Sequence, residues 1–345
     1  MLSRFPIDTR EAFGLASRVS FRLFCNKEVA LSNPFAGVQW IWKNGQLIDF
    51  EKATTHVLTH ALHYGSGVFE GIRCYATPSG PAVFRLPEHL ARLENSAKVY
   101  RMPLPYSSEQ IAEAIFETIR ANELASCYIR PIAYRGFGTL GVNPLRSPVD
   151  VVVAAWGWGK YLGEDCDEGV DVCVSSWCRV SPDALPAVAK ATGNYLNSSL
   201  IKMEALTNGY VEGIALDHRG FVSEGSGENV FLVQNGALVT PPVAASLLSG
   251  ITRDAVLTIA RDLGIQVRRE MVPRGHLYTC DEMFLTGTAA EITPVRSVDR
   301  IPVGAGCPGE ITRRIMEQFQ GITSGTIDDR HGWLSPVPVL SRSER

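Results

Sequence analysis

The chain has 345 residues, enough for about two domains that each bury a core. Hydrophobic residues make up 45% and charged residues 20%, and the formal net charge of −3 makes neither nucleic acid nor an anionic membrane surface an expected partner. No apolar run approaches the roughly 20 residues that span a bilayer, so we expect no membrane insertion.

The first half of the chain begins with residues 1–38, which carry no secretory signal pattern and predict a flexible N-terminal extension. A strand, an Asn44–Gly45 turn and a second strand then predict a hairpin. Ser107 and Gln110 form a possible capping box. The other predicted elements of this half are helices over 87–100 and 107–124 and strands over 127–137 and 150–156.

The second half alternates between predicted strands and helices. They are a strand over 170–177, a helix over 194–209, hairpins over 213–224 and 229–240, a helix over 250–264 and a strand over 281–287. The pattern favours an α/β (α+β) fold of two domains. We expect a small domain over 39–156, an interdomain loop over the glycine-rich stretch 157–165, and a large domain over 166–345.

The cysteines and histidines suggest neither disulfides nor a metal. The eight cysteines are scattered without a C-x-x-C pair, which is typical of reduced thiols and predicts a cytoplasmic protein. His56, His60 and His63 have the spacing of a helical metal triad. Because no carboxylate or cysteine is placed to complete that site, we expect no metal, and a metal hydrolase is a distant alternative.

Lys190 is the most informative lysine among only seven in the chain. It follows Val188 and Ala189 and precedes a glycine turn, and an amine in apolar surroundings can form a Schiff base. Two small-residue turns, "LLSGITRD" and "TGTAAE", could bind a phosphate or could be ordinary capped turns. With Tyr195 five residues after Lys190 and an isolated carboxylate, Glu224, after an apolar strand, these features suggest pyridoxal 5′-phosphate as the cofactor.

Several ordered stretches, from about residue 39 to the end, resemble the branched-chain amino acid aminotransferases of the bacterial type. They are "HALHYGSGVFEGIRCY", "SCYIRP", "GVNP", "AKATGNYL", "EGIALD", "SEGSGENVF", "GITRDA" and "TGTAAEITPVRSVD". The resemblance implies the class IV (D-amino-acid-aminotransferase-like) fold, with pyridoxal 5′-phosphate between a smaller N-terminal and a larger C-terminal domain. It also implies a homodimer or a larger homo-oligomer, such as a hexamer.

The resemblance also implies a role for individual residues. Lys190 would be the catalytic Schiff-base lysine, with Tyr195 on the phenolic oxygen of the cofactor and Glu224 on its pyridine nitrogen. The implied phosphate-binding residues are Arg92, Ile251, Thr252 and Thr288. The implied substrate-binding residues are Tyr64, Phe69, Gly71, Tyr128, Arg130, Val142, Trp158, Tyr161, Thr288 and Ala289, with Val142 supplied by a partner subunit.

The expected reaction is transamination of L-leucine, L-isoleucine and L-valine with 2-oxoglutarate, which yields branched-chain 2-oxo acids and L-glutamate. Aromatic walls suit a branched side chain, and Arg130 suits the second carboxylate of glutamate. The alternatives within the fold are a D-amino acid aminotransferase and an aminodeoxychorismate lyase-like enzyme. A protein that binds the cofactor without catalysis is a further alternative.

Overall fold

The computed structural model describes residue 33 and residues 35–159, 161–163 and 166–339. The predicted N-terminal extension over 1–38 lies largely outside the described residues. Lys160 and residues 164–165, in the predicted interdomain loop, also lie outside them.

Strands and helices alternate along the described chain. The strands of the first half are β1 (Trp40–Lys43), β2 (Gln46–Asp49), β3 (Gly67–Phe69), β4 (Ile72–Thr77), β5 (Gly80–Phe84), β6 (Cys127–Arg135) and β7 (Val149–Trp156). Those of the second half are β8 (Val170–Val174), β9 (Glu212–Leu216), β10 (Val222–Gly225), β11 (Asn229–Gln234), β12 (Ala237–Thr240), β13 (Val267–Arg269), β14 (Glu282–Gly287), β15 (Glu291–Val298), β16 (Ile301–Pro302) and β17 (Leu334–Pro336). The helices are α1 (His60–Tyr64), α2 (Leu86–Val99), α3 (Ser108–Ala121), α4 (Tyr195–Thr207), α5 (Ile251–Asp262) and α6 (Glu310–Ser324).

Two sheets organise these elements. The first has eight antiparallel strands in the order β17-β5-β4-β6-β7-β1-β2, with β3 paired to β6. The second has nine strands in the order β10-β9-β8-β15-β14-β11-β12-β13, with β16 paired to β15. It is mixed, because β8 runs parallel to both β9 and β15. The predicted α/β class is confirmed, whereas the domain boundaries stay a prediction, and β17 from the C-terminal part joins the first sheet.

Local sequence signals explain where several elements begin and end. Asn44 and Gly45 both have positive φ, at 49° and 94°, as a two-residue hairpin turn of the favoured type requires. Ser107 and Gln110 form the predicted capping box at the start of α3. Gly264 follows α5 with φ of 70°. The predicted hairpins and helices are therefore confirmed, apart from shifts of a few residues at their ends.

The hydrophobic core lies on the faces of the two sheets. Helices α2 and α3 pack Leu93 and Ile115 against the first sheet. Helices α5 and α6 cover the second sheet, and Phe84 of β5 joins their cluster with its ring 5.5 Å from that of Phe319. This aromatic contact packs the first sheet against α6. Helix α6 was not among the elements predicted from the sequence.

Within the described part of the chain, no helix combines the length and apolar character needed to cross a membrane. Among the cysteines found there, Cys74, Cys127, Cys173, Cys178, Cys280 and Cys307 are free thiols, and the first three of these and Cys280 are buried.

The stacked pair of Phe231 and Phe284 allows a direct test of this core. Their rings are 5.0 Å apart at an angle of 10°, and both side chains are fully buried. We expect Phe284→Ala to lower the free energy of unfolding by about 3–5 kcal/mol, because it leaves a cavity between β14 and α5. Met203→Ala, at a half-exposed position of α4, is the control and should change it by about 0.5 kcal/mol or less. Urea unfolding measures both, and equal losses would contradict this description of the core.

Candidate active site

The backbone of Lys190 is fixed against the first sheet. Lys190 lies in the segment between β8 and α4, and its carbonyl accepts the amide of Phe69 at 3.0 Å. Its own amide donates to Ser96 Oγ at 3.0 Å, and the next residue, Ala191, forms a bridge with Val68. These bonds hold the segment in place while the lysine side chain extends into a cleft.

The amine of Lys190 has a short hydrogen bond to a phenol. Its Nζ donates to Tyr195 Oη at 2.6 Å, and Tyr195 is the first residue of α4. The ring of Phe69 lies 5.0 Å from Nζ and 4.8 Å from the ring of Tyr195. The amine is therefore bounded by two aromatic rings, one of which also supplies its hydrogen-bond acceptor.

The cleft around Lys190 also contains a carboxylate. Glu224 of β10 is buried, and its Oε1 forms an ion pair of 2.9 Å with Arg179 Nη2. Its Oε2 accepts hydrogen bonds from Asn229 Nδ2 and from the amide of Leu248, each at 3.1 Å. The residues that line the cleft are Arg179, Ala187, Ala189, Lys190, Asn194, Tyr195, Ser198, Glu224, Ser226, Gly227 and Leu248.

The surroundings of Glu224 act on its charge in opposite directions. Burial raises the pKa of Glu224 above its ordinary value, and the charge of Arg179 and the amide of Leu248 oppose that rise. The positive charge of Lys190 also favours the ionised form. Arg179 is itself buried, and its Nη1 is held by Asn197 Oδ1 at 2.8 Å, so the ion pair has a fixed geometry.

Arg92 and the start of α5 lie beside each other. Helix α5 begins at Ile251 and Thr252, so the amides of its first turn have no acceptor within the helix and suit an anion. Arg92 Nη1 donates to the carbonyl of Ser249 at 2.9 Å, which is two residues before the helix begins. The predicted phosphate-binding residues Arg92, Ile251 and Thr252 therefore come together.

The turn at Thr288 and Ala289 is held from the first sheet. It connects β14 to β15, and its two carbonyls accept hydrogen bonds from Arg73 Nε at 2.8 Å and Arg73 Nη2 at 2.7 Å. Arg73 lies on β4 and Tyr75, on the same strand, donates to Glu291 at 2.6 Å. With its carbonyls occupied on one side, the turn can present its amides on the other.

A group of aromatic side chains surrounds Arg130. Its guanidinium lies 4.8 Å from the ring of Phe69 and donates to Tyr128 Oη at 3.0 Å. The ring of Trp158 is 4.5 Å from that of Tyr128 and 6.1 Å from that of Tyr161. Arg130 Nε is buried and has no hydrogen-bond partner among the described residues.

Gly71 leaves room for this group. A Cβ at position 71 would collide with Tyr128 Oη, so the phenol can occupy its position only because residue 71 has no side chain. The predicted substrate residues Phe69, Gly71, Tyr128, Arg130, Trp158 and Tyr161 thus form one connected group.

Two of the predicted substrate residues lie elsewhere on this chain. Tyr64 is exposed and stacks on His60 at 4.5 Å, and His60 Nε2 bonds to the carbonyl of Gly141 at 2.8 Å. Val142 follows Gly141 and is 87% exposed. Neither residue lines the Lys190 cleft of its own chain.

The three histidines that resemble a metal triad make other contacts. His60 and His63 bond to backbone carbonyls, and His56 Nδ1 accepts the amide of Leu58. Among the described residues there is no group of three or more His, Cys, Asp or Glu that could hold a metal ion.

Comparisons with known proteins agree with this geometry. Residues 67–298 match the model of the family amino-transferase class IV. The chain is 52% identical over 300 residues to the branched-chain-amino-acid aminotransferase of Escherichia coli K12, which covers 86% of this chain and 97% of that protein. The corresponding protein of Pseudomonas aeruginosa is 43% identical over 298 residues, which are 86% of this chain and 97% of the relative.

Solved structures give the same result. The crystal structure of the Escherichia coli branched-chain amino acid aminotransferase superposes with a TM-score of 0.86 at 51% identity, over 87% of this chain and 100% of that one. The T.th. branched-chain amino acid aminotransferase with pyridoxamine 5′-phosphate superposes with a TM-score of 0.85 at 48% identity, over 87% and 99%. This chain belongs to the class IV aminotransferases. The resemblance stated from the sequence is confirmed.

Class IV aminotransferases use pyridoxal 5′-phosphate, and the residues of this class IV chain fit that cofactor. The cleft provides an amine at Lys190, a phenol at Tyr195 and a buried carboxylate at Glu224. Beside it, the guanidinium of Arg92 and the start of α5 provide donors for a phosphate. An amine, an acid and an anion site are the three chemical groups that this cofactor needs.

Some residues with direct contacts to this class IV site were not singled out from the sequence. They are Glu70, Arg73, His89 and Arg179. Only Glu70 gave a usable signal, because it follows the apolar residues Val68 and Phe69 and precedes Gly71 and Ile72. A carboxylate within an apolar run requires a buried partner.

A second buried carboxylate beside the cleft allows a test by pH. Glu228 follows the cleft residue Gly227, and burial, together with the neighbouring charge of Glu212, raises the pKa of Glu228 to about 8. The charge of Lys202 opposes this rise. From its ordinary value of 4.5 up to about 8, the folded protein holds a proton that the unfolded chain has lost. Folding stability attributable to Glu228 therefore falls as the pH rises through this window.

We expect Glu228→Gln to remove this pH dependence. Relative to the unchanged protein, the variant should gain up to about 1.4 kcal/mol of stability per pH unit between about pH 5 and about pH 8. Urea unfolding of both proteins at several pH values measures the difference. A difference that is the same at every pH would contradict the assigned titration.

Proposed function

We propose that this chain catalyses the reversible transamination of L-leucine, L-isoleucine and L-valine with 2-oxoglutarate, which gives branched-chain 2-oxo acids and L-glutamate. The observation that carries the proposal is the amine of Lys190, held 2.6 Å from Tyr195 Oη in a cleft that also contains Glu224. The substrate class rests on the relatives named branched-chain-amino-acid aminotransferases. The same relatives leave the D-amino acid aminotransferase and lyase alternatives without support.

We propose that three side chains of the cleft hold the cofactor ring. Lys190 would bind it covalently through Nζ, Tyr195 would contact its phenolic oxygen, and Glu224 would pair with its ring nitrogen. When bound, pyridoxal 5′-phosphate supplies an electron sink that stabilises negative charge at the substrate Cα. Arg179 supports Glu224 in the ionised form, because it forms the ion pair of 2.9 Å. For the phosphate, we propose Arg92, the amides of Ile251 and Thr252, and Thr288.

In this proposal Lys190 is also the proton carrier. Released from the cofactor as a free amine, its Nζ would take the proton from the substrate Cα and later return one, which is general base and then general acid catalysis at a single atom. The bond to Tyr195 and the ring of Phe69 restrict where the amine can lie. A short distance between Nζ and the substrate Cα favours the proton transfer.

The aromatic group around Arg130 would bind two kinds of side chain. Phe69, Tyr128, Trp158 and Tyr161 offer apolar surface to a branched side chain, at about 25 cal/mol per Å² buried. Arg130 would donate to the second carboxylate of glutamate or 2-oxoglutarate through its guanidinium group. The amides of Thr288 and Ala289 would bind the carboxylate on the substrate Cα, and Gly71 keeps the space around Tyr128 open.

We propose that a second copy of the chain completes the site. Tyr64 and Val142 are exposed, and their two segments, which touch through the His56–Phe137 ring contact and the His60–Gly141 hydrogen bond, carry several other exposed apolar side chains. Those side chains are Val57, Leu58, Leu62, Phe137, Leu140 and Leu145. Covering this surface would form a homodimer, from which a larger assembly such as a hexamer could be built. A cytoplasmic location, expected from the scattered spacing of the cysteines, is also a proposal.

Visible spectroscopy of the purified protein tests the function. Adding L-leucine should bleach the absorption band of the bound cofactor, and 2-oxoglutarate should then restore it. D-alanine is the matched control and should leave the band unchanged. A band that responds to D-alanine but not to L-leucine would refute the proposed substrate class, and a Lys190→Ala variant with full turnover would refute the catalytic role.

Replacement of Arg130 separates the two half-reactions. Arg130→Ala should lower kcat/KM for glutamate by about 10- to 100-fold more than kcat/KM for leucine, because only glutamate loses a charge-assisted hydrogen bond. Single-turnover spectra with each amino acid give both values. Arg120→Ala, at an arginine of α3 that pairs with Glu113, is the control and should affect neither. Equal losses for both substrates would argue against this role of Arg130.

A further inference from the structure

Arg92 is held by a buried carboxylate that the proposed mechanism does not use. Glu70 lies between β3 and β4, and its side chain is 0% exposed. Arg92 Nε donates to Glu70 Oε1 at 2.7 Å, and Arg92 Nη2 donates to Oε2 at 2.8 Å. His89, one turn before Arg92 on α2, bonds to the same Oε2 through Nδ1 at 2.7 Å. The carboxylate therefore has three side-chain hydrogen bonds.

The charges within this cluster are well defined. Burial alone would raise the pKa of Glu70, but the charge and hydrogen bonds of Arg92 outweigh it and hold that pKa well below its usual range. Burial lowers the pKa of His89, which favours its neutral form. A neutral His89 must carry its proton on Nδ1 to donate to the carboxylate. Glu70 and Arg92 thus form a compensated ion pair, supported by a neutral histidine.

The bidentate contact fixes the direction of the guanidinium. Glu70 occupies the side that carries Nε and one hydrogen of Nη2, which leaves the edge formed by Nη1 and the other hydrogen of Nη2. Nη1 reaches the carbonyl of Ser249, just before α5 begins. The remaining edge of Arg92 consequently lies at the start of α5, where the first amides of the helix suit an anion.

The same segment is connected to Lys190 through the backbone. Phe69 immediately precedes Glu70, and its amide donates to the carbonyl of Lys190 at 3.0 Å. The amide of Glu70 itself donates to the carbonyl of Pro131 on β6 at 2.8 Å. The position of Glu70 therefore sets the position of Arg92 relative to Lys190.

We propose that Glu70 is a positioning residue that fixes Arg92 for binding the cofactor phosphate, with His89 as its support. This inference rests on the proposed function, because the phosphate is that of pyridoxal 5′-phosphate. A purely structural role would stabilise the fold without distinguishing ligands that carry a phosphate from ligands that lack one. The two roles therefore differ in a measurable way.

The test compares the affinities of the full-length protein, freed of cofactor, for pyridoxal 5′-phosphate and for pyridoxal, which lacks the phosphate. Glu70→Gln should weaken binding of pyridoxal 5′-phosphate by about tenfold or more, because Arg92 loses a charge-assisted bidentate partner. Binding of pyridoxal should change by about twofold or less. The matched control is Glu282→Gln, which alters a carboxylate that accepts the amides of Ile311 and Thr312 at the start of α6. It should leave the ratio of the two affinities unchanged.

Equal weakening of both ligands by Glu70→Gln, or unchanged binding of pyridoxal 5′-phosphate, would overturn the inference. If Glu70→Gln does not fold, His89→Leu is tested in its place, because it removes one donor from the same carboxylate. We again expect binding of pyridoxal 5′-phosphate to weaken more than binding of pyridoxal, relative to the unchanged protein, and equal weakening of both ligands would overturn the proposal. An unchanged protein that binds pyridoxal as tightly as pyridoxal 5′-phosphate would refute the proposed function itself. The two failures are therefore distinguishable.

Discussion

The need to neutralise charges inside a dry cleft is the constraint on which this site depends. A buried carboxylate costs several kcal/mol unless it is paired and hydrogen bonded. Two acidic groups at the cleft have such a partner, since Glu224 pairs with Arg179 and Glu70 pairs with Arg92. The amine of Lys190 is bonded to the phenol of Tyr195. These pairs keep reactive groups close together while the fold remains stable.

The two sheets contribute different parts of the site, and hydrogen bonds between them fix its dimensions. Phe69 and Arg92 come from elements of the first sheet and its helix α2, whereas Glu224 lies on β10 of the second sheet. Arg73 crosses from β4 to the carbonyls of Thr288 and Ala289. A displacement of one sheet relative to the other would break several of these bonds at once. The site is therefore positioned by rigid elements, which favours catalysis that depends on orientation.

Sequence patterns predicted the elements of this fold well, because each has a local physical cause. The capping box at Ser107 and the turn at Asn44–Gly45 are determined within a few residues. Lys190 stood out because an amine in an apolar segment is unusual. Arg179 and His89 did not stand out, since their importance comes from Glu224 and Glu70, which are far away in sequence. Such contacts depend on the tertiary fold, and the one local clue was the carboxylate of Glu70 in an apolar run.

We propose that Lys190 is the lysine that holds the cofactor, and chemical trapping can identify this residue. Treating the purified protein with borohydride, digesting it and locating the cofactor by mass spectrometry identifies the modified residue. We expect the label on the peptide that contains Lys190, and the same label in a Lys202→Arg variant. A label on any other lysine, or no label after incubation with pyridoxal 5′-phosphate, would contradict it.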